Sequence, residues 1–136
     1  DDVIFLQSED GLKYIEAPRL PVAMTWQDLL DQVKALANDP HEYKTLCLDT
    51  TDAASILAER HVCEKEGWDS IETPGFGKGQ VKVKEAWVRI LDGLQVCHDI
   101  RKMNIILLSH VAVKPFNDAI HDRHGLNGEF PNRGFC

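Results

Sequence analysis

A chain of 136 residues, 43% hydrophobic and 27% charged, has room for one core and the polarity of an ordinary globular domain. Its 22 acidic against 15 basic residues leave a net charge of −7, which excludes a wholesale nucleic-acid coat but leaves room for a local basic patch. No apolar run approaches the ~20 residues of a membrane span and no signal-peptide pattern is present, so the expected compartment is a reducing cytoplasm with no membrane partner.

The first predicted element is a strand over residues 3–7. Four apolar residues in a row suggest burial on both faces, as in a parallel sheet. "EDGLKYIEAPRLPVAM" is then a connection broken by Pro18 and Pro21, with a short extended piece near Val22. A helix starts at Thr25, where Thr25-Trp26-Gln27-Asp28 has the form of a capping box. Leu29, Leu30, Val33, Leu36 and Ala37 recur at helical spacing, and Asn38-Asp39-Pro40 stops the run.

A buried strand over 45–48 follows, with Asp49 at its carboxyl end. A second helix is expected over 52–66, with Ala54, Leu57, Ala58 and Val62 on one face and Gly67 as its stop. "DSIETPGFGKGQVKVK" reads as a glycine-rich connection. A long helix is expected from about 84 to 103, striped by Trp87, Ile90, Leu91, Leu94 and Cys97. "IILLSH" is a third buried strand. The remainder, from Val111 to Cys136, is rich in turn formers and reads as loop. No internal repeat is present.

The four cysteines, Cys47, Cys63, Cys97 and Cys136, form no CxxC pair. Cys47 and Cys97 fall on apolar faces and read as reduced core residues. The alternative, a metal held by His61 and Cys63 with His121 and His124, matches no common zinc spacing.

Strand, helix, strand, helix, long helix, strand implies a parallel sheet with right-handed crossovers. Ligands of such sheets bind at the carboxyl ends of the strands. Here those ends carry Glu9, Asp49 and the Ser109-His110 pair. One polar ending commonly does no more than cap the next helix. Three together point to a functional rim.

The order of these endings resembles the RecA-like branch of P-loop ATPases. "VIFLQSEDGL" resembles the strand that delivers the catalytic glutamate, "KTLCLDTTDAA" a Walker B strand, and "NIILLSH" the strand that ends in a polar sensor. With "APRLPVAMTWQDLLDQVKALANDPHEYKTLCLDT", "GFGKG", "KEAWVRILDGL" and "IILLSHVAVKPFND", the chain over residues 4–118 resembles AAA-type phage and prophage nucleotide-binding proteins. These are small RecA-like ATPases linked to DNA recombination and single-strand annealing. The resemblance implies ATP and Mg2+ as cofactors. It gives Glu9 the attacking water, Asp49 the magnesium through water, and Ser109 and His110 the nucleotide's γ-phosphate end.

The family's P-loop, G-x-x-x-x-G-K-[ST], lies upstream of the glutamate strand. "GFGKG" lacks its spacing and its following Ser or Thr. The expectation is therefore a member truncated before that motif: a RecA-like α/β core over 1–118 that lacks its first strand, and an irregular tail over 119–136. ATP hydrolysis is expected to be absent or very weak. In the RecA-like order the missing strand pairs beside residues 105–108, so an uncovered apolar edge is expected there. A homodimer is expected to cover it, with coverage by the tail as the alternative.

Lys78, Lys82 and Lys84 beside Phe76 form a small basic patch suited to single-stranded DNA, through phosphates and base stacking, unless the segment is simply a flexible surface loop. Two rival functions stay open: a nucleotide-independent DNA-binding or assembly module, and an unrelated α/β enzyme using Asp49 and His110 as a metal or acid–base pair.

Overall fold

Three short strands and three helices alternate along the chain: β1 (Val3–Gln7), α1 (Trp26–Asn38), β2 (Thr45–Asp49), α2 (Thr51–Glu66), α3 (Lys78–Asp99) and β3 (Asn104–Leu108). The structure is a computed structural model and describes residues 2–113 and Pro115. The strands form one parallel sheet in the order β1-β2-β3. This is the expected α/β class, a parallel sheet with flanking helices. Among the described residues no helix is long and apolar enough to cross a membrane. His121, His124, Cys136 and the tail over 119–136 lie outside the described residues.

Side chains of a strand alternate between its faces. Ile4 and Leu6 of β1, Leu46 and Leu48 of β2, and Ile105 of β3 join a single apolar cluster with residues of all three helices. The helices therefore share one face of the sheet. Trp26, Leu29 and Val33 enter this core from α1, Ala54, Leu57, Ala58 and Val62 from α2, and Ile90, Leu94 and Cys97 from α3. Cys47, Cys63 and Cys97 are free thiols. Burial pushes both Cys47 and Cys97 up from the ordinary thiol value, with the Asp49 carboxylate adding to the effect at Cys47.

The capping box of α1 forms as expected. The Asp28 amide donates to Thr25 Oγ1 at 3.0 Å, and the Thr25 amide donates to Asp28 Oδ2 at 3.0 Å. At the other end Arg101 donates to the carbonyls of Ala37 (2.8 Å) and Asn38 (2.6 Å), satisfying acceptors that the last turn leaves open.

The sequence reading misplaced α3. The helix opens at Lys78, not near Lys84, and it ends at Asp99. Gly79, read as part of a loop, is a buried helical residue: a Cβ there would lie 1.8 Å from the Ile71 carbonyl oxygen. The glycine serves close packing between the helix and the preceding turn. Leu91, expected on the buried stripe, is 45% exposed. Lys102 turns the chain with φ 58, and Met103, expected at the helix end, is fully buried beyond it.

The two outer edges of the sheet differ. Residues 18–23 run along β1. Its Phe5 amide donates to the Pro18 carbonyl (3.0 Å), and its Phe5 and Gln7 carbonyls accept from Leu20 (3.0 Å) and Ala23 (2.8 Å). This is the extended piece expected near Val22. On the other side β3 pairs with β2 alone among the described residues. Its Ile106, Leu107 and Leu108 are 45%, 43% and 39% exposed.

Candidate functional site at the carboxyl ends of the strands

Parallel pairing sets Gln7 beside Asp49 and Asp49 beside Leu108, so all three strands end together. The residues that follow meet in two joints.

The first joint links β1 to β2 and is buried. The Ser8 amide donates to the Asp49 carbonyl at 3.0 Å. Ser8 Oγ donates to the Thr50 carbonyl (2.6 Å) and accepts from the Thr50 amide (2.9 Å). The Asp49–Thr50 peptide is cis. Thr50 is the N-cap of α2, its hydroxyl oxygen accepting from the Ala53 amide at 3.3 Å. The same hydroxyl donates to Glu9 Oε1 at 3.0 Å. One threonine thus starts the helix and holds the candidate glutamate.

The Asp49 carboxylate stands half-buried beside this joint. Gly11 approaches it closely enough that a Cβ there would lie 3.6 Å from Asp49 Oδ2. Among the described residues no hydrogen bond or ion pair engages that carboxylate. A half-buried hard oxygen donor with free lone pairs fits a Mg2+ ion that keeps most of its waters. No group of three or more His, Cys, Asp or Glu able to hold a metal occurs among the described residues. The site thus offers one carboxylate and not a protein cage. His61 and Cys63 both lie half-buried on α2.

The second joint links α2 to the end of β3 and is exposed. Asp52 Oδ2 accepts from the His110 amide at 2.7 Å and from Ser109 Oγ at 3.3 Å, and it lies 3.6 Å from His110 Nδ1. The His110 amide, aided by the Ser109 hydroxyl and the His110 ring, holds the Asp52 carboxyl below the ordinary carboxylate range. The acid beside His110 is therefore Asp52, which does not favour the reading of Asp49 and His110 as an acid–base pair.

Sequence reasoning named Glu9, Asp49, Ser109 and His110 and missed Ser8, Thr50 and Asp52, which hold them. "DTTD" carries the signature of a helix start, and that explanation hid the contacts of Thr50 with Glu9 and of Asp52 with His110.

The candidate DNA residues are more dispersed than a single patch. Phe76 is fully exposed and lies in the left-handed region (φ 52) between Gly75 (φ 68) and Gly77 (φ 70). Lys78, Lys82 and Lys84 are exposed on the first turns of α3. At 3.6 residues per turn Lys78 and Lys82 share a side, and Lys84 points away from both. Lys82 lies 3.8 Å from Glu66 and 3.7 Å from Glu85, so acids offset its charge.

A family model described as an AAA domain matches residues 1–129. The chain belongs to this AAA family. No curated protein and no solved structure gives a match. Membership points to a nucleotide-binding function of the AAA type, and intact members bind ATP with Mg2+. The sequence contains no G-x-x-x-x-G-K-[ST] stretch. Residues 75–79 do not substitute for one. No strand runs into them, and their last residues are the opening turn of α3, with Gly79 packed on Ile71.

Proposed function

We propose that this AAA domain carries the glutamate and magnesium side of a RecA-like ATP site, in a protein of phage-type DNA recombination or single-strand annealing. The observation that carries this reading is the hydrogen bond from Thr50 Oγ1 to Glu9 Oε1, made by the residue that follows Asp49, whose carboxylate has no hydrogen bond among the described residues. It holds the Glu9 carboxylate in place at the end of β1.

In this reading Asp49 holds magnesium through water. The ion, when bound, supplies positive charge to the phosphates. Glu9 accepts a proton from, and orients, the attacking water, with one carboxylate oxygen held by Thr50. Ser109 and His110 face the γ-phosphate end, and Asp52 sets their position. A phosphate cradle is not among the residues of this chain, so Glu9 and Asp49 leave negative charge without backbone donors or a lysine to balance it. Hydrolysis by residues 1–136 alone is accordingly absent or very weak.

Titration calorimetry of magnesium-ATP should give an affinity weaker than low micromolar. Magnesium alone, followed by backbone NMR, should shift resonances around Asp49 and Gly11, and Asp49→Asn should abolish the shift. Shifts that survive in Asp49→Asn would overturn the assignment of the cation to Asp49.

A second reading, a nucleotide-independent module for single-stranded DNA, is favoured by Phe76. A large apolar ring fully exposed on a left-handed turn suits base stacking, and Lys78 suits a phosphate. Binding should then fall steeply with salt. Phe76→Ala should weaken it more than Lys84→Ala, whose lysine points elsewhere on α3.

A further inference from the structure

We infer that the cavity where α1, α2 and α3 meet is a binding site for a phosphate group, with the indole N–H of Trp26 as its buried donor and Lys65 and Arg89 at its mouth. The site is separate from the nucleotide reading and does not rest on it. About 14 Å of helix separate Asp52 at the rim from His61 in the cavity wall. No residue of the lining belongs to a strand.

Trp26 opens α1 and is 1% exposed. A buried tryptophan normally pairs its N–H, because a dry donor without an acceptor has lost the bond it made with water. Trp26 Nε1 has no hydrogen-bond partner among the described residues. The ring also packs edge to face with Trp87, their centroids 5.2 Å apart. That packing asks only for an aromatic ring, so it gives the indole nitrogen no reason to be there.

The indole lines a cavity of about 50 Å³ whose other walls come from α2 and α3. One water needs roughly 10–15 Å³ of such space, so the cavity takes several atoms of that size. This suits the oxygens of one phosphate group. It is far below the roughly 300–1,000 Å³ of a site that encloses a whole cofactor or drug-sized molecule.

The charge of the lining favours an anion. Lys65, Lys82 and Arg89 outnumber Glu66 and Glu85, on a chain whose net charge is −7. Lys82 is engaged by both acids, at 3.8 Å from Glu66 and 3.7 Å from Glu85. Lys65 and Arg89 are exposed and form no ion pair among the described residues. Arginine offers a planar fork of donors that matches two phosphate oxygens, and lysine a point charge. The indole N–H can only donate, and a phosphate oxygen accepts from any side. Half-buried His61 completes the wall and adds a donor when protonated.

The test follows the indole N–H resonances of the 136-residue chain by NMR, with Trp26 assigned through Trp26→Phe. Inorganic phosphate, titrated against chloride of equal ionic strength, should move the Trp26 resonance saturably with a Kd of about 1–10 mM. Arg89→Gln should weaken binding about tenfold. Arg60→Gln is the control. Arg60 lines a second hollow that shares Trp26 and His61 with the cavity but not Arg89, so its loss should leave the Kd unchanged. Both arginines are exposed, so this pair decides even where Trp26→Phe does not fold. Methyl phosphate that binds as well as the free ion assigns the site to a phosphate carried on a larger molecule, and binding of the free ion alone assigns it to inorganic phosphate. A Trp26 resonance that moves no more in phosphate than in chloride, as when the N–H is turned onto the Trp87 ring or held by water, would overturn the inference. So would a Kd that responds to Arg60→Gln and not to Arg89→Gln.

Discussion

The two joints at the end of the sheet are built from similar residues and differ in kind. Between β1 and β2, Ser8 and Thr50 exchange two hydrogen bonds out of solvent, with Ser8 9% and Thr50 4% exposed. Between α2 and β3, Asp52 takes the His110 amide and the Ser109 hydroxyl at the surface. A buried hydrogen bond costs most when one partner is removed, because the other is left dry and unpaired. A surface carboxylate can turn to water. The joint holding Glu9 and Asp49 is thus a fixed part of the fold, and the joint holding His110 is one that conditions can loosen.

The buried joint should break hardest. Ser8→Ala removes both the acceptor for the Thr50 amide and the donor to its carbonyl. The expected loss is about 1–3 kcal/mol of stability, read by chemical denaturation. A loss below the error of that measurement would mean that water replaces the hydroxyl and that the joint is not sealed.

Thr50→Val keeps the shape and removes both the helix cap and the donor to Glu9. The expected loss is about 1 kcal/mol. Hydrogen exchange should quicken at the first turn of α2, where the Ala53 amide loses its acceptor. Thr50→Ser should restore most of both, since serine caps as well as threonine. A serine variant as impaired as valine would show that packing of the threonine methyl dominates.

The difference between the joints bears on what could be read in the sequence. Periodicity revealed the strands, α1 and α2, because each has an uninterrupted apolar pattern bounded by a cap or stop: Thr25 with Asp28, and Gly67 in the left-handed region. It misplaced the start of α3 because three glycines between Gly75 and Gly79 signal a loop locally. The fit of Gly79 against Ile71, which makes it helical, is a tertiary contact with no local trace. The exposure of Leu91 was hidden for a related reason: the helical stripe includes it, and its place beside β3, the last strand in the described sheet, depends on sheet order. At the rim, the strand endings singled out Glu9, Asp49 and His110 as candidates by position. The residues that hold them contact partners roughly 40 to 60 positions away, as in Ser8 with Thr50 and Asp52 with His110, and spacing along the chain carries no sign of that.

The smallest effect belongs to the exposed joint, and it should appear as pH dependence. Asp52 has a carboxyl held below its ordinary value in the fold, chiefly by the His110 amide. A carboxylate with a depressed folded value contributes stability that is fully present above its unfolded value and is lost as pH falls through the folded one. The tie should therefore be intact near neutrality and loosen only below the ordinary carboxylate range. Around it stand the His110 ring and the Ser109 hydroxyl, with Glu9 and Asp49 elsewhere on the rim. The His110 amide resonance should move as acid protonates Asp52, and its protection against exchange, relative to the intrinsic rate at each pH, should fall over the same interval. Asp52→Asn keeps a neutral acceptor in place, so it should give an amide less protected at neutral pH, with a protection that is flat across that interval. Global stability should hardly change, since the group is at the surface and screened by water. If the variant keeps the parent's pH response, the titrating group is one of the other rim carboxylates, and Asp52 is not what ties the end of β3 to α2.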